Sequence, residues 1–251
     1  MSDPNPADYP NQATPPPRPG RDRRLIVLAV VAVLVAVGAI GVGALVHLRG
    51  TRVAGVAQAA ETGGASAGGG SFGLNGAVRV GPAAAKVTVR LVADLQCPAC
   101  KAFERDAGQV LMDAVKEGST AVEYNIITFL DRASTDQYSS RAGNASYCVA
   151  SSGTGHYQQW LESLFGKQPA EGGAGLPDAT LIEIAKSAGY TDPAVAQCIT
   201  DRKYDKPLRE NTKQVFATGV NATPTVFVND KQIPNRDLSA SSLRAMIAAA
   251  R

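Results

Sequence analysis

A chain of 251 residues, 45% of them hydrophobic, leaves room for one ordinary globular domain with appendages or for two small ones. Its formal net charge of +3 comes entirely from residues 1–52, where six Arg face Asp3, Asp8 and Asp22; the remainder carries 19 basic and 19 acidic residues. A neutral domain without a basic run excludes the electrostatic footprint of nucleic-acid binding, so its partners are expected to be recognised by contact.

Residues 1–20 hold seven of the fifteen prolines and almost nothing that packs. Such a segment cannot bury enough apolar surface to offset its ordering entropy, which predicts a disordered tail over residues 1–24. From Leu25 to Val46 run 22 residues without a charge. As a helix that is about 33 Å, enough for a bilayer core of about 30 Å. The apolar region of a cleaved signal peptide is usually about 7–15 residues. This run is longer, although Ala57-Gln58-Ala59 downstream would suit a signal peptidase. Arg18, Arg21, Arg23 and Arg24 precede the span, and only Arg49 and Arg52 follow closely. The heavier positive flank stays in the cytoplasm. The expectation is a single-pass anchor over residues 25–48 in the cell membrane, with a cytoplasmic N-terminus and an extracytoplasmic C-terminal part. Residues 49–75, dense in Gly, Ala and Ser, read as a flexible linker with a reach of about 25–30 Å.

The exported part is expected to begin near Gly76. "KVTVRLVAD" (86–94) reads as a strand. "PACKAFERDAGQVLMDAVKE" (98–117) sets Phe103, Val110, Leu111, Ala114 and Val115 on one helical stripe. "AVEYNIITFL" (121–130) is a second strand candidate, and residues 134–218 read as mostly helical. "TPTVFVND" (223–230) restores the strand signal, Asn229-Asp230 suits a turn into "KQI", and "SASSLRAMIAAAR" closes the chain as a helix. The pattern predicts an α/β sheet with a helical insertion and no internal repeat.

Four cysteines punctuate this order: Cys97, Cys100, Cys148 and Cys198. Cys97 falls where the strand ends and the helix begins. Free N–H groups and the positive end of the helix dipole favour an anion there, and a cysteine in that place can titrate at about 3.5–7.5 instead of about 8.5. Pro98 suits the first helical position, where its missing N–H costs nothing. Cys100 lies one turn on, within bridging distance. This arrangement predicts an exposed nucleophile at Cys97 and a resolving partner at Cys100. A zinc site would need two further ligands, and a second close pair is missing. A Cys97–His156 protease would be closed by the neighbouring Cys100. In an oxidising compartment the local pair takes itself, leaving Cys148 and Cys198 for each other. That bridge is expected to be a structural staple; the sharper alternative is a second redox pair.

"DLQCPACKAF" (94–103), together with "GVNATPTVFVND" (219–230), resembles the thioredoxin-fold disulfide oxidoreductases of the DsbA group, over residues 76–251. The lone Cys148/Cys198 pair is similar to that of the membrane-anchored actinobacterial members. The resemblance implies a thioredoxin-like fold with an inserted helical domain. It also implies Thr223-Pro224 opposite the dithiol, a cis peptide bond before Pro224, and substrate backbone pairing there. Two departures stand out. The family's buried acid six residues before the first cysteine is replaced by Leu91; Asp94 either substitutes as a proton relay or is a solvated strand end. The His that strongly oxidising members tend to carry before the second cysteine is replaced by Ala99, which should weaken thiolate stabilisation.

The expected function is a monomeric thiol oxidase without a cofactor. It would act on reduced exported polypeptides and be re-oxidised by a DsbB-like or vitamin K epoxide reductase-like membrane partner, as the resemblance implies. A reductase or isomerase runs the same chemistry the other way. An isomerase usually needs a dimer, and no dimerisation segment is evident. A metal-binding module for copper or zinc is the alternative from another class; with only Met1, Met112 and Met246, extra soft ligands near the motif are lacking.

Overall fold

The structure, a computed structural model, describes residues 76–251. The expected tail (1–24), anchor (25–48) and linker (49–75) lie outside the described residues. Among those described, no helix is long and apolar enough to cross a membrane.

A short edge strand, β1 (Val78–Val80), precedes β2 (Val87–Asp94); α1 (Pro98–Lys116) then leads to β3 (Thr120–Ile127). Five helices follow: α2 (Tyr138–Ser152), α3 (Tyr157–Gly166), α4 (Asp178–Ser187), α5 (Pro193–Thr200) and α6 (Asp205–Ala217). The chain returns to the sheet as the hairpin β4 (Thr225–Val228) and β5 (Lys231–Ile233), and α7 (Ala240–Ala249) closes it. The sheet order is β1-β3-β2-β4-β5. β2 and β3 are parallel, with Val87 opposite Thr120 and Asp94 opposite Ile127; the other three pairings are antiparallel.

Alternation along β2 explains the layering. Val87, Val89, Leu91 and Ala93 enter the main core, where α1 brings Phe103, Ala107, Val110, Leu111 and Ala114. Val92 faces the opposite side and joins Ile127, Val215, Val220 and Phe227 in a smaller cluster. On β2 the Arg90 guanidinium lies 3.8 Å from the centre of the Phe227 ring, an ion over an aromatic face. Asn229 and Asp230 both take left-handed backbone, as a two-residue hairpin turn requires. The Asn229 side chain also accepts the Thr88 N–H at 2.9 Å, pinning that turn to β2.

One expectation needs correction, and two further features carry no signal in the sequence. The strand read over 121–130 stops at Ile127, and Phe129–Ala133 form a 3₁₀ turn. The apolar run continues through it because Phe129 packs on the smaller cluster. β1 was not expected; three residues give too short an alternation to read. Helix α2, whose composition looks polar, is buried from Tyr138 through Ala150. Its small polar side chains sit inside because each finds a partner, as buried polar groups must. Ser140 donates to Asp131, Ser146 shares a hydrogen with Tyr157, and Asn144 donates to the Ile199 carbonyl while accepting from Tyr204 N–H. Asn144-Ala145-Ser146, which matches a glycosylation triplet, is therefore interior. At Gly143 an added Cβ would come within 2.5 Å of Leu208 Cδ2, so α2 and α6 approach each other through a missing side chain.

Cys148 and Cys198 are joined in a disulfide between α2 and α5, with Cα atoms 5.8 Å apart. Cys148 is fully buried and Cys198 partly so.

Candidate active site

The site is built at the C-terminal end of β2. After Asp94 the chain turns at once: Cys97 N–H donates to the Asp94 carbonyl at 3.0 Å, and Gln96 N–H donates to Asp94 Oδ1 at 2.9 Å. This brings Cys97 to the cap position of α1 with extended backbone, and Pro98 opens the helix. Lys101 N–H then donates to the Cys97 carbonyl, the first helical bond. Gln168, arriving from the loop after α3, donates to the Leu95 and Cys97 carbonyls, both at 3.0 Å. The helical insertion thus holds the turn that presents the dithiol.

Thr223-Pro224 lies across from this turn, and its peptide bond is cis. As a thiol, Cys97 Sγ donates to the Thr223 carbonyl at 3.6 Å. Both cysteines are free thiols. Cys97 is 7% exposed and Cys100 2%. Cys97 is therefore less open than its place at a helix start suggests, because the Thr223 carbonyl closes over the sulfur.

The two sulfurs titrate in opposite directions. Cys97 is lowered from 9.0 to about 6. The Cys100 thiol, donating to it, is the largest cause; burial opposes, and the Thr223 hydroxyl and the Cys100 and Ala99 N–H groups assist. The Thr223 hydroxyl is buried without a partner while Cys97 is a thiol, so it is a donor waiting for the anion. Cys100 is pushed well above its ordinary value by burial first and then by the neighbouring Cys97. Ala99 supplies no side-chain donor, yet its backbone N–H does.

Asp94 is no solvated strand end: it is fully buried behind the dithiol. Its carboxylate accepts from Ser139 Oγ at 2.6 Å, from Gln96 N–H, and from Leu130 N–H at 3.0 Å. Burial nevertheless pushes it up to about 6, with the Cys97 charge adding to the rise. Sequence reasoning missed Ser139 and Gln168. Neither carries a local signal, since each acts from the insertion on a turn more than 40 residues away in sequence. His156, weighed as a protease partner, stands at the residue before α3, where its ring bonds the Gln159 side chain and packs edge-on against Tyr190. Among the described residues, no three of His, Cys, Asp and Glu gather to hold a metal.

A parallel β–α–β unit with Cys-Pro-Ala-Cys at the strand–helix junction, faced by a cis-proline loop, defines a thioredoxin-fold dithiol protein. The chain belongs to that family: the family model described as Thioredoxin matches residues 74–249. Within it the chain groups with the DsbA-like thiol–disulfide oxidoreductases. A reduced disulfide bond oxidoreductase (DsbG) of Mycobacterium tuberculosis is 35% identical, with a TM-score of 0.63 over 71% of this chain and 89% of that one. Oxidised DsbA from the same organism is 35% identical, with a TM-score of 0.61 over 69% and 92%. Disulfide bond formation protein D of Bacillus subtilis is 27% identical over 60% of this chain and 67% of its own length. The serine/threonine-protein kinase PknE of M. tuberculosis is 34% identical over 62% of this chain; the match spans only 29% of the kinase.

Proposed function

We propose that this protein introduces disulfides into exported polypeptides through Cys97 and Cys100. In the oxidised form a substrate thiolate attacks Cys97 Sγ, the Cys97–Cys100 bond breaks, and Cys100 leaves with the electron pair and takes a proton. A second substrate thiolate then attacks the substrate sulfur of the mixed disulfide. Cys97 departs as a thiolate, so the substrate loses two electrons and the protein gains them. Asp94, near the pair and titrating at about 6, is suited to pass the proton that Cys100 needs. Thr223 and Pro224 offer backbone to the bound chain, and Cys148–Cys198 serves as a staple for the insertion.

The single observation that carries the direction is the set of donors gathered on Cys97 Sγ, namely the Cys100 thiol, the otherwise unpartnered Thr223 hydroxyl and the Cys100 and Ala99 N–H groups, which together favour the thiolate. Stabilising the reduced form makes the disulfide more oxidising. A reductase would instead benefit from a poorer leaving group at this position. On this reading a membrane-bound oxidant of the DsbB or vitamin K epoxide reductase type restores the disulfide, and residues 25–48 tether the domain outside the cell. The anchor rests on its uncharged length and its flanking arginines. The test is the equilibrium reduction potential of Cys97–Cys100 against glutathione. A value near about −120 mV fits disulfide donation, whereas one near about −270 mV would overturn the oxidase direction in favour of a reductase.

A further inference from the structure

A groove of about 420 Å³ runs from Pro98 along the outer face of α1, between it and α3. Pro98, Lys101, Glu104, Gly108, Glu162 and Phe165 are among its lining residues. Glu104 is the feature without a role so far. It is 5% exposed, and its Oε2 is buried with no hydrogen-bond partner. A buried carboxylate left unpaired costs free energy that a structural role would not require.

The surroundings keep that carboxylate in place and leave it without a cation. A Cβ at Gly108 would lie 2.7 Å from Glu104 Oε1, so the absent side chain makes the room the carboxylate fills. Gly108 has ordinary helical backbone; space, and not conformation, explains it, although glycine inside a helix costs about 0.5–1 kcal/mol relative to alanine. The second acid, Glu162 of α3, faces the same groove and repels Glu104. Neither cation lining the groove pairs with Glu104: Lys101 Nζ donates to the Gln168 carbonyl at 3.4 Å, and Arg105 pairs with the exposed Asp106 at 2.7 Å. Burial, and then Glu162, raise Glu104 to about 7, the behaviour of an acid lacking its counter-charge.

We propose that this groove is a cation subsite for the substrate chain, in which Glu104, supported by Glu162, receives a Lys or Arg side chain close to the reacting cysteine. This deepens the proposed oxidase function and rests on it. Glu104 lies seven residues beyond Cys97, about 10 Å along the helix. Two extended residues span about 7 Å, and the reach of a long side chain covers the rest. The basic residue therefore stands two or three positions from the substrate cysteine.

The test uses the oxidised full chain in detergent at pH 8 and low salt, with two-cysteine peptides identical except for Lys or norleucine at those positions. Their oxidation rates are compared as a ratio, divided by the same ratio against oxidised glutathione. That division removes the effect of Lys on the peptide thiol itself. The expected ratio is about tenfold in favour of Lys, the factor that about 1.4 kcal/mol gives. It should fall to about one in Glu104→Gln and to an intermediate value in Glu162→Gln, as expected when a charge-assisted hydrogen bond is lost. Gly108→Ala, which displaces the carboxylate without removing it, should also lower the ratio. Both peptides oxidised at equal rates by the unaltered protein would overturn the subsite and leave the oxidase function standing. A preference that survives Glu104→Gln would overturn it equally. If neither peptide is oxidised, the oxidase function itself fails and the subsite falls with it.

Discussion

Replacing Cys100 with Ala tests what holds the Cys97 thiolate. With its titration at about 6, Cys97 is about nine-tenths ionised at pH 7, whereas at its ordinary 9.0 it would be about one-hundredth ionised. The largest contribution to that lowering is the hydrogen bond from Cys100. A hydrogen bond to a charged group is worth about 1.5–3 kcal/mol. At about 1.4 kcal/mol per unit, its loss in Cys100→Ala should raise the Cys97 titration by about one to two units. The thiolate fraction at pH 7 then falls to between about a half and a tenth. Cys100→Ser keeps an O–H donor at the same place and should return most of the shift. The assay is the far-ultraviolet thiolate absorbance of the reduced protein against pH, repeated as the pH dependence of alkylation by iodoacetamide. Cys100 itself titrates well above 9, so one transition is seen in the physiological range. A midpoint in Cys100→Ala within about 0.3 units of the unaltered protein would refute the reasoning and assign the stabilisation to the helix N-terminus and Thr223 instead.

Thr223→Val removes the hydroxyl donor, a smaller contribution than the Cys100 thiol, and should raise the Cys97 midpoint by less than Cys100→Ala does, read in the same titration. Because burial raises Glu104 from 4.5 to about 7, the folded protein keeps a proton that the unfolded chain releases, and stability falls as pH rises between those values. At about 1.4 kcal/mol per unit, Glu104→Gln should stabilise by about 3 kcal/mol at pH 8 and by almost nothing at pH 4. Urea unfolding at the two pH values checks this, and an equal gain at both would contradict a buried, uncompensated charge. Converting Cys148 and Cys198 together to Ala opens a loop of 50 residues and should cost about 4 kcal/mol on the chain-entropy model, measured by the same unfolding. An unfolding midpoint unchanged in the double variant would contradict the staple. Gly143→Ala drives a methyl into Leu208 and should destabilise by about 1–3 kcal/mol, seen as a lower unfolding midpoint.

Much of this site was legible from the chain alone because its signals are local. A strand pattern ending at Asp94, a cysteine, a proline and a second cysteine one turn later need only the periodicity of strand and helix to be read. The same holds for the helical character of residues 134–218 and for the Asn229-Asp230 turn. Local pattern also set limits: a three-residue edge strand is too short to alternate, and an apolar run could not say that β3 would stop at Ile127. Tertiary structure decided what distance in sequence conceals. It put Ser139 and Gln168 on the turn before Cys97, closed the Thr223 carbonyl over the sulfur, and buried Asp94 where a strand end is ordinarily solvated. It also turned a polar-looking helix inward and stranded Glu104 beside a groove. Composition and spacing determine which groups are present and which near neighbours they have. The acidity of Cys97, Cys100, Asp94 and Glu104 depends on desolvation and on donors from remote elements, and those exist only once the chain has folded.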